Sequence, residues 1–103
     1  MTAWIRQGAN DGRAVVHERE AVIRNREGLH FRPIMRVVDT ASRFLSRVTL
    51  QVEDRKADAR SPMELLMLVA TCGTRLRIMA EGDDAEQALG ALVGLIEDGF
   101  GES

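Results

Sequence analysis

The order of hydrophobic periodicities along the chain is the feature that most limits its fold. Residues 33 to 46 and 84 to 98 carry apolar side chains at the three- and four-residue spacing of helices with one buried face. Residues 47 to 54 and 74 to 81 instead alternate apolar with polar side chains, which is the period of a half-buried strand. These segments predict two amphipathic helices interleaved with strands that bury one face each.

Three shorter segments complete the order of elements. Residues 21 to 25 predict a strand that ends at the turn "NREG", and residues 56 to 60 predict a strand joined to the preceding one by a hairpin through Asp54 and Arg55. Residues 61 to 70, "SPMELLMLVA", predict a short helix. The order βαββαβα lacks the repeated strand–helix–strand unit of a parallel sheet. We therefore expect an α+β fold, a four-stranded antiparallel sheet with three helices on one face.

Residues suited to helix ends mark several boundaries in this prediction. Ser61, Pro62 and Glu64 fit a capping box with proline at the first helical position. Asp83 is expected to cap the last helix, and Gly99 is expected to end it.

The chain is expected to form one domain preceded by an extension. Residues 1 to 17 include the turn-rich stretch "QGANDGR", so we interpret them as a loosely ordered N-terminal extension. Val15 and Val16 are the residues there that can lengthen the first strand. Residues 18 to 103 then make up a domain of ordinary small size.

Composition argues against several classes of partner. A net charge of −2 and an aromatic content of 4% disfavour nucleic-acid binding, which needs a basic surface and stacking side chains. The chain has no apolar run of about 18 residues, so insertion into a membrane is not expected. The first residues do not resemble a secretion signal, and the single cysteine, Cys72, suits a reducing compartment. These features predict a cytoplasmic protein.

No cofactor or metal ion is expected from the sequence. His17 has no cysteine or second histidine at ligand spacing, so it is interpreted as an exposed side chain. Cys72, in "ATCGT", is interpreted as a small turn or core residue rather than a reactive thiol. Phosphate-binding loops and dinucleotide fingerprints are absent from the chain.

The stretch "REGLHFRP" places His30 and Arg32 where the first long helix begins, with Pro33 in its first turn. A helix start leaves backbone N–H groups unpaired and favours anions, and arginine adds a planar fork of donors for phosphate oxygens. A histidine there can accept a phosphoryl group, and Gly28 allows a backbone conformation that a Cβ atom disfavours. The alternative is that His30 only caps the helix and Arg32 is a solvated charge.

The stretch "NREGLHFRP" resembles the active-site segment of HPr, the histidine-containing phosphocarrier family of the bacterial phosphoenolpyruvate-dependent sugar phosphotransferase system. "LLMLVATCGTRLRIMAEGDDAEQALGALVGLIEDGFGE" is similar to the C-terminal half of the same family. The resemblance covers about residues 20 to 102 and implies that family's open-faced β-sandwich.

The resemblance also implies a function and its partners. His30 would take a phosphoryl group from Enzyme I and pass it to a IIA domain, with Arg32 stabilising the group, so the chain would be a carrier rather than a turnover enzyme. Phe31 stands where the family usually has a small residue, and it is expected to affect partner docking. Pro62, Met63 and Leu66 are expected to form an exposed apolar docking patch, as in relatives; the alternative is that some of them belong to the core.

Ser61 is in register with the regulatory serine that the HPr kinase/phosphorylase modifies in many members of the family. Two residues depart from that pattern, since Pro62 replaces an aliphatic residue and Glu64 adds negative charge next to the serine. Capping alone also accounts for a serine at this position. The alternative function is therefore a regulatory binding module of the same fold, controlled by phosphorylation at Ser61.

Overall fold

The computed structural model describes residues 15 to 102. Four strands and three helices follow one another in the order β1 (Val16–Val22), α1 (Phe31–Ala41), β2 (Arg47–Val52), β3 (Arg55–Asp58), α2 (Pro62–Met67), β4 (Arg75–Glu81) and α3 (Ala85–Glu97). A single 3₁₀ turn (Gly99–Gly101) comes after α3.

The four strands form one antiparallel sheet in the order β1-β4-β2-β3. The central strand β4 pairs with both β1 and β2, so that Ile78 lies opposite Arg19 on one side and Leu50 on the other. Helix α3 packs on β1, β4 and β2, while α1 packs against α2 and α3. The predicted α+β fold, an open-faced β-sandwich, is confirmed.

The core lies between the sheet and the helices because alternate side chains of each strand point to the helical side. Buried positions alternate with more exposed ones along β2 and β4, as their period-two patterns predicted. The helices contribute matching stripes, which include Val37 from α1, Leu65 from α2 and Leu92 from α3. Burial of these side chains against the sheet fixes how α1 and α2 are presented to solvent.

Helix α1 ends at Ala41. The prediction that it extends to residue 46 was wrong, and the reason is a contact from a distant part of the chain. The backbone N–H groups of Leu45 and Ser46 donate to the carboxylate of Asp84 at 2.9 Å each, instead of to helix carbonyls. The segment after Ala41 is therefore a loop held by a side chain from far along the chain. As a result Leu45 is 91% exposed, although its spacing predicted a buried face.

The strand boundaries also differ from the prediction. The first strand covers Val16–Val22 rather than residues 21 to 25, so His17, assigned to the extension, lies in β1. The predicted extension falls mostly on residues 1 to 14, which lie outside the described residues. In the hairpin, Val52 pairs with Arg55, so the loop consists of Glu53 and Asp54 rather than Asp54 and Arg55.

The helix caps correct two further predictions. Asp84, rather than Asp83, is the N-cap of α3, and its carboxylate holds the loop before β2 instead of the helix start. The Ser61 hydroxyl accepts a hydrogen bond from the Glu64 N–H, as a capping box requires. The Glu64 carboxylate, however, accepts from the N–H of Asp58 at 2.9 Å rather than from Ser61.

Between residues 15 and 102, no helix is long and apolar enough to cross a membrane.

Replacing Asp84 with alanine is expected to lower the Tm, because three donors on Leu45 and Ser46 lose their shared acceptor. Hydrogen bonds from the Ser46 side chain and the Leu45 backbone hold the pKa of Asp84 below its ordinary value of 3.8, against the effect of burial. A lowered folded-state pKa gives stability that is present above 3.8 and is lost as the pH falls through the folded-state value. The Tm difference should therefore be full at pH 7 and shrink below pH 4.

The matched control is Asp83→Ala, which removes a neighbouring exposed carboxylate. Thermal unfolding followed by circular dichroism from pH 2 to 7 measures both variants. Equal Tm losses in the two variants would show that Asp84 does not hold the loop.

Candidate functional site

His30 occupies the N-cap position of α1, but its ring does not cap the helix. Its backbone is extended, with φ −106° and ψ −167°, and its side chain makes no hydrogen bond to the first turn as far as the described residues extend. The ring is 37% exposed and therefore accessible to a protein partner. The interpretation of His30 as a simple capping side chain does not fit this geometry.

The turn before His30 is shaped by a close approach to the segment that follows α2. Gly28 has φ +74°, and a Cβ atom placed on it would lie 2.6 Å from the carbonyl oxygen of Ala70. The N–H of Leu29 donates to that same oxygen at 2.8 Å, and the Leu29 side chain is buried. Only glycine fits such a position without strain, so the sequence "GLH" fixes where α1 begins.

One ring nitrogen of His30 is engaged, while the other has no hydrogen-bond partner in the described part of the chain. Nε2 lies 3.3 Å from Oε1 of Glu102 and 3.9 Å from Oε1 of Glu27. A carboxylate only accepts hydrogen bonds, so this contact assigns the hydrogen of the neutral ring to Nε2. The lone pair then resides on Nδ1, which is the nitrogen available to act as a nucleophile.

Glu102 is held in place by a buried asparagine, and neither residue was singled out by the sequence analysis. Asn25 is 2% exposed, and its Nδ2 donates to Oε1 of Glu102 at 3.1 Å and to the carbonyl of Gly28 at 2.8 Å. Both partners are acceptors, which assigns the orientation of the amide. Its Oδ1 is buried and has no hydrogen-bond partner in the described part of the chain. Asn25 thus ties the chain end to the turn that presents His30.

The electrostatics of Glu102 reflect this arrangement. Burial raises the pKa of Glu102, but hydrogen bonds from His30 and Asn25 and the positive charges of His30 and Arg32 outweigh it. The pKa of Glu102 is therefore lower than the ordinary value of 4.5. The carboxylate is ionised at neutral pH, as the assignment of the Nε2 hydrogen requires.

Groups that favour an anion follow His30 directly, at the start of α1. Helix geometry leaves the N–H groups of Phe31 and Arg32 without intrahelical acceptors, and Pro33 has none to satisfy. The N–H of Ile34 is the first to bond within the helix, at 2.9 Å from the carbonyl of His30. Arg32 itself is exposed.

These residues line an open cleft of about 820 Å³, whose walls are Arg26, Glu27, His30, Phe31, Arg32, Arg36, Gly101 and Glu102. Arg36 and Arg26 add positive charge that the sequence analysis did not assign to the site. Arg36 follows Arg32 by four residues, so helical spacing was the signal that could have identified it.

The predicted docking residues are exposed on the two neighbouring helices. Phe31 is 76% exposed at the edge of the cleft, and Pro62, Met63 and Leu66 are exposed on α2. Met67 is exposed on α2 as well, whereas Leu65 of the same helix is fully buried. The alternative, that some of these residues belong to the core, does not hold for Pro62, Met63 or Leu66.

Ser61 does not belong to the His30 cleft. It is the N-cap of α2, with its hydroxyl 3.3 Å from the Glu64 nitrogen. His17 lies apart too, with Nδ1 3.6 Å from Glu86, and Cys72 is exposed in a turn with Sγ 3.8 Å from the Arg24 carbonyl. No cluster of three metal-ligating side chains occurs between residues 15 and 102.

An open-faced β-sandwich with a histidine–arginine pair at the start of its first helix defines the class of small phosphocarrier domains. Residues 17 to 98 match the family model described as "PTS HPr component phosphorylation site". The chain therefore belongs to the HPr family, the phosphocarriers of the phosphotransferase system.

Individual relatives agree with this assignment. The chain is 38% identical to the phosphocarrier protein HPr of Xylella fastidiosa, over 82% of this chain and 96% of that protein. It is 42% identical to the multiphosphoryl transfer protein of Haemophilus influenzae over 79% of this chain but only 17% of that larger protein. The crystal structure of HPr-C-His from Thermoanaerobacter tengcongensis superimposes with a TM-score of 0.81 and 41% identity, covering 84% of this chain and 98% of that one.

Replacing His30 with alanine is expected to raise the pKa of Glu102, because the variant loses the hydrogen bond and the positive charge of the ring while burial remains. Carboxyl carbon chemical shifts of Glu102, followed by NMR during a pH titration, measure the change. His17→Ala removes the other histidine of the chain and is the control, which should leave the Glu102 pKa where it is. An unchanged Glu102 pKa in His30→Ala would contradict the contact.

Proposed function

We propose that the protein carries a phosphoryl group on His30, which it accepts from phosphorylated Enzyme I and passes to a IIA domain. The observation that carries the proposal is the contact between the Glu102 carboxylate and Nε2 of the His30 ring. Nε2 is engaged by this carboxylate, while Nδ1 has no hydrogen-bond partner among residues 15 to 102, and the same cleft holds Arg32. Membership of the HPr family supports the same function.

The proposed chemistry is an in-line transfer between two proteins. The Nδ1 lone pair attacks phosphorus, a P–N bond forms, and the bond from phosphorus to the leaving atom of the donor breaks with its electron pair. The reverse sequence of bond changes, with a nucleophile of the acceptor, releases the group. Glu102 keeps the ring in the tautomer that this attack needs and stabilises the positive charge that the ring gains.

In this proposal the phosphoryl oxygens are stabilised by groups at the start of α1. The exposed guanidinium of Arg32 and the N–H groups of Phe31 and Arg32, which have no acceptor within the helix, are suited to them. The carboxylates of Glu27 and Glu102 lie 3.9 and 3.3 Å from Nε2, where they repel a phosphoryl group attached to that nitrogen. This charge distribution favours Nδ1 as the site of modification.

The protein in this proposal is a cytoplasmic carrier whose partners are themselves proteins. The exposed side chains of Phe31, Met63 and Leu66 supply apolar area for docking, and methionines adapt to more than one partner surface. Phe31 is bulky and lies at the edge of the cleft, so it is proposed to set which partners dock closely.

The second candidate, a regulatory module phosphorylated at Ser61 by the HPr kinase/phosphorylase, has one supporting observation. Ser61 is the N-cap of α2 and is partly exposed, and negative charge is stabilised at such a position. Its hydroxyl is already used as a cap, and the Glu64 carboxylate lies within the same turn. The carrier function is therefore the better supported of the two.

The carrier function predicts an acid-labile phosphate on His30 after incubation with phosphoenolpyruvate and Enzyme I. Intact-mass spectrometry before and after acid treatment should show one phosphoryl group on the wild type and on Ser61→Ala, and none on His30→Ala. A phosphate that survives acid, appears only with ATP and kinase and is lost in Ser61→Ala would instead support the regulatory module.

Replacing Arg32 with alanine is expected to slow the transfer by about ten- to a hundredfold, since charge-assisted hydrogen bonds to the transferred group are lost. The Tm should stay the same because the side chain is exposed. Arg43→Ala is the matched control, since Arg43 is exposed beyond the same helix but lies outside the His30 cleft. An Arg32→Ala variant that loses its cooperative thermal transition would show that Arg32 is structural.

A further inference from the structure

Asn25 is buried, and one of its polar atoms has no partner. The residue is 2% exposed, and its side-chain Oδ1 makes no hydrogen bond among residues 15 to 102. A buried acceptor without a partner destabilises a fold, so its presence requires an explanation. The part of the side chain that is used is the N–H₂ group, which donates to the Gly28 carbonyl and to the Glu102 carboxylate.

The turn that presents His30 does not depend on the Asn25 side chain. The turn is closed through the backbone, where the N–H of Gly28 donates to the carbonyl of Asn25 at 3.2 Å. The Gly28 carbonyl, which accepts from the Asn25 amide, also accepts from the N–H of His30 at 3.0 Å. This carbonyl therefore keeps a donor if the amide is lost. The contribution that remains specific to the amide is its donation to Glu102.

The Asn25 amide and the His30 ring donate to the same oxygen of Glu102. Oε1 lies 3.1 Å from Nδ2 of Asn25 and 3.3 Å from Nε2 of His30. The backbone of Glu102 is held separately, because its N–H donates to the Gly99 carbonyl at 2.9 Å. A glutamate side chain still has several rotatable bonds beyond a fixed backbone, and each rotamer places the carboxylate elsewhere. The buried amide favours the rotamer in which Oε1 reaches the ring.

We propose that Asn25 is a positioning residue for phosphoryl transfer, which holds the Glu102 carboxylate on Nε2 of His30 so that Nδ1 keeps its lone pair. The inference rests on the proposed carrier function. Because Asn25 is buried, it acts on the reaction through Glu102 and not on the transferred group itself. Burial raises the pKa of Glu102, and hydrogen bonds from His30 and Asn25 are among the contacts that lower it below 4.5, in agreement with this arrangement.

A double-mutant cycle with Asn25→Ala and Glu102→Ala tests whether Asn25 acts through Glu102. Each single variant is expected to slow the labelling of His30 by phosphorylated Enzyme I about tenfold, the effect of losing one hydrogen bond to a charged group. The double variant should also be slowed about tenfold, and not by the roughly hundredfold that independent effects would give.

The tautomer of His30 is the readout that a merely structural role of Asn25 would not change. Ring ¹⁵N chemical shifts, measured at a pH at which the ring is neutral, should place the hydrogen on Nε2 in the wild type. Both Asn25→Ala and Glu102→Ala should instead show a mixture of the two tautomers.

Ser46→Ala is the matched control for the loss of a buried polar group. Ser46 is the other buried polar residue in the part of the chain that the structure describes, and its hydroxyl bonds to Asp84, outside the His30 cleft. This variant should lower the Tm but leave the His30 tautomer and the labelling rate as they are.

A measurement on the wild type keeps the inference testable if Asn25→Ala does not fold. The side-chain amide protons of Asn25, followed by NMR in a pH titration, should shift with the same midpoint as the Glu102 carboxylate. Amide protons that do not respond to the titration of Glu102 would overturn the inference.

Three further outcomes are decisive. A wild-type labelling rate in Asn25→Ala, additive losses in the double variant or an unchanged tautomer would each overturn the positioning role, and the carrier function would stand. If phosphorylated Enzyme I does not label His30 of the wild type, the carrier function fails and this inference fails with it.

Discussion

The hydrogen bond from the Leu29 N–H to the Ala70 carbonyl is the interaction on which the functional surface depends. It draws the turn before α1 against the segment after α2 so closely that residue 28 has to be glycine. It thereby fixes where α1 begins and places His30 at the N-cap, with its ring partly exposed and not used to cap the helix. On the other side it holds Ala70, next to Val69, whose φ of +53° lies in the left-handed region that a β-branched residue disfavours. One backbone contact thus joins the turn that carries His30 to the segment that follows α2.

The fold was largely predictable because it follows from local periodicity. The apolar stripes of α1 and α3 indicate that each helix buries one side, and the alternation of apolar and polar residues indicates the same for β2 and β4. Few sheet topologies are compatible with the order of these elements. The end of α1 was missed because it depends on Asp84, which lies 38 residues beyond Ser46 in the sequence. A helical stripe continues through Leu45, but the stronger acceptor for its N–H is the distant carboxylate.

The site was predictable only in its local part. His30 and Arg32 lie in one short stretch with a recognisable chemistry at a helix start. Glu102 was not found, since its contact with His30 spans 72 residues and depends on how α3 crosses the sheet. Asn25 was predicted only as part of a turn. Its hydrogen bond to Glu102 could not be predicted, because it depends on the buried position of the amide in the folded chain. The exposure of Pro62, Met63 and Leu66 on α2 was predicted, whereas the positive φ of Val69 was not.

The proposed carrier function requires that the Glu102 carboxylate bind Nε2 of His30 and leave Nδ1 to take the phosphoryl group. NMR of the phosphorylated protein with ¹⁵N-labelled histidine tests this, because coupling to phosphorus identifies the bonded ring nitrogen. We expect coupling to Nδ1 of His30, with Nε2 still carrying its hydrogen. Coupling to Nε2, or phosphate attached to a residue other than His30, would contradict it.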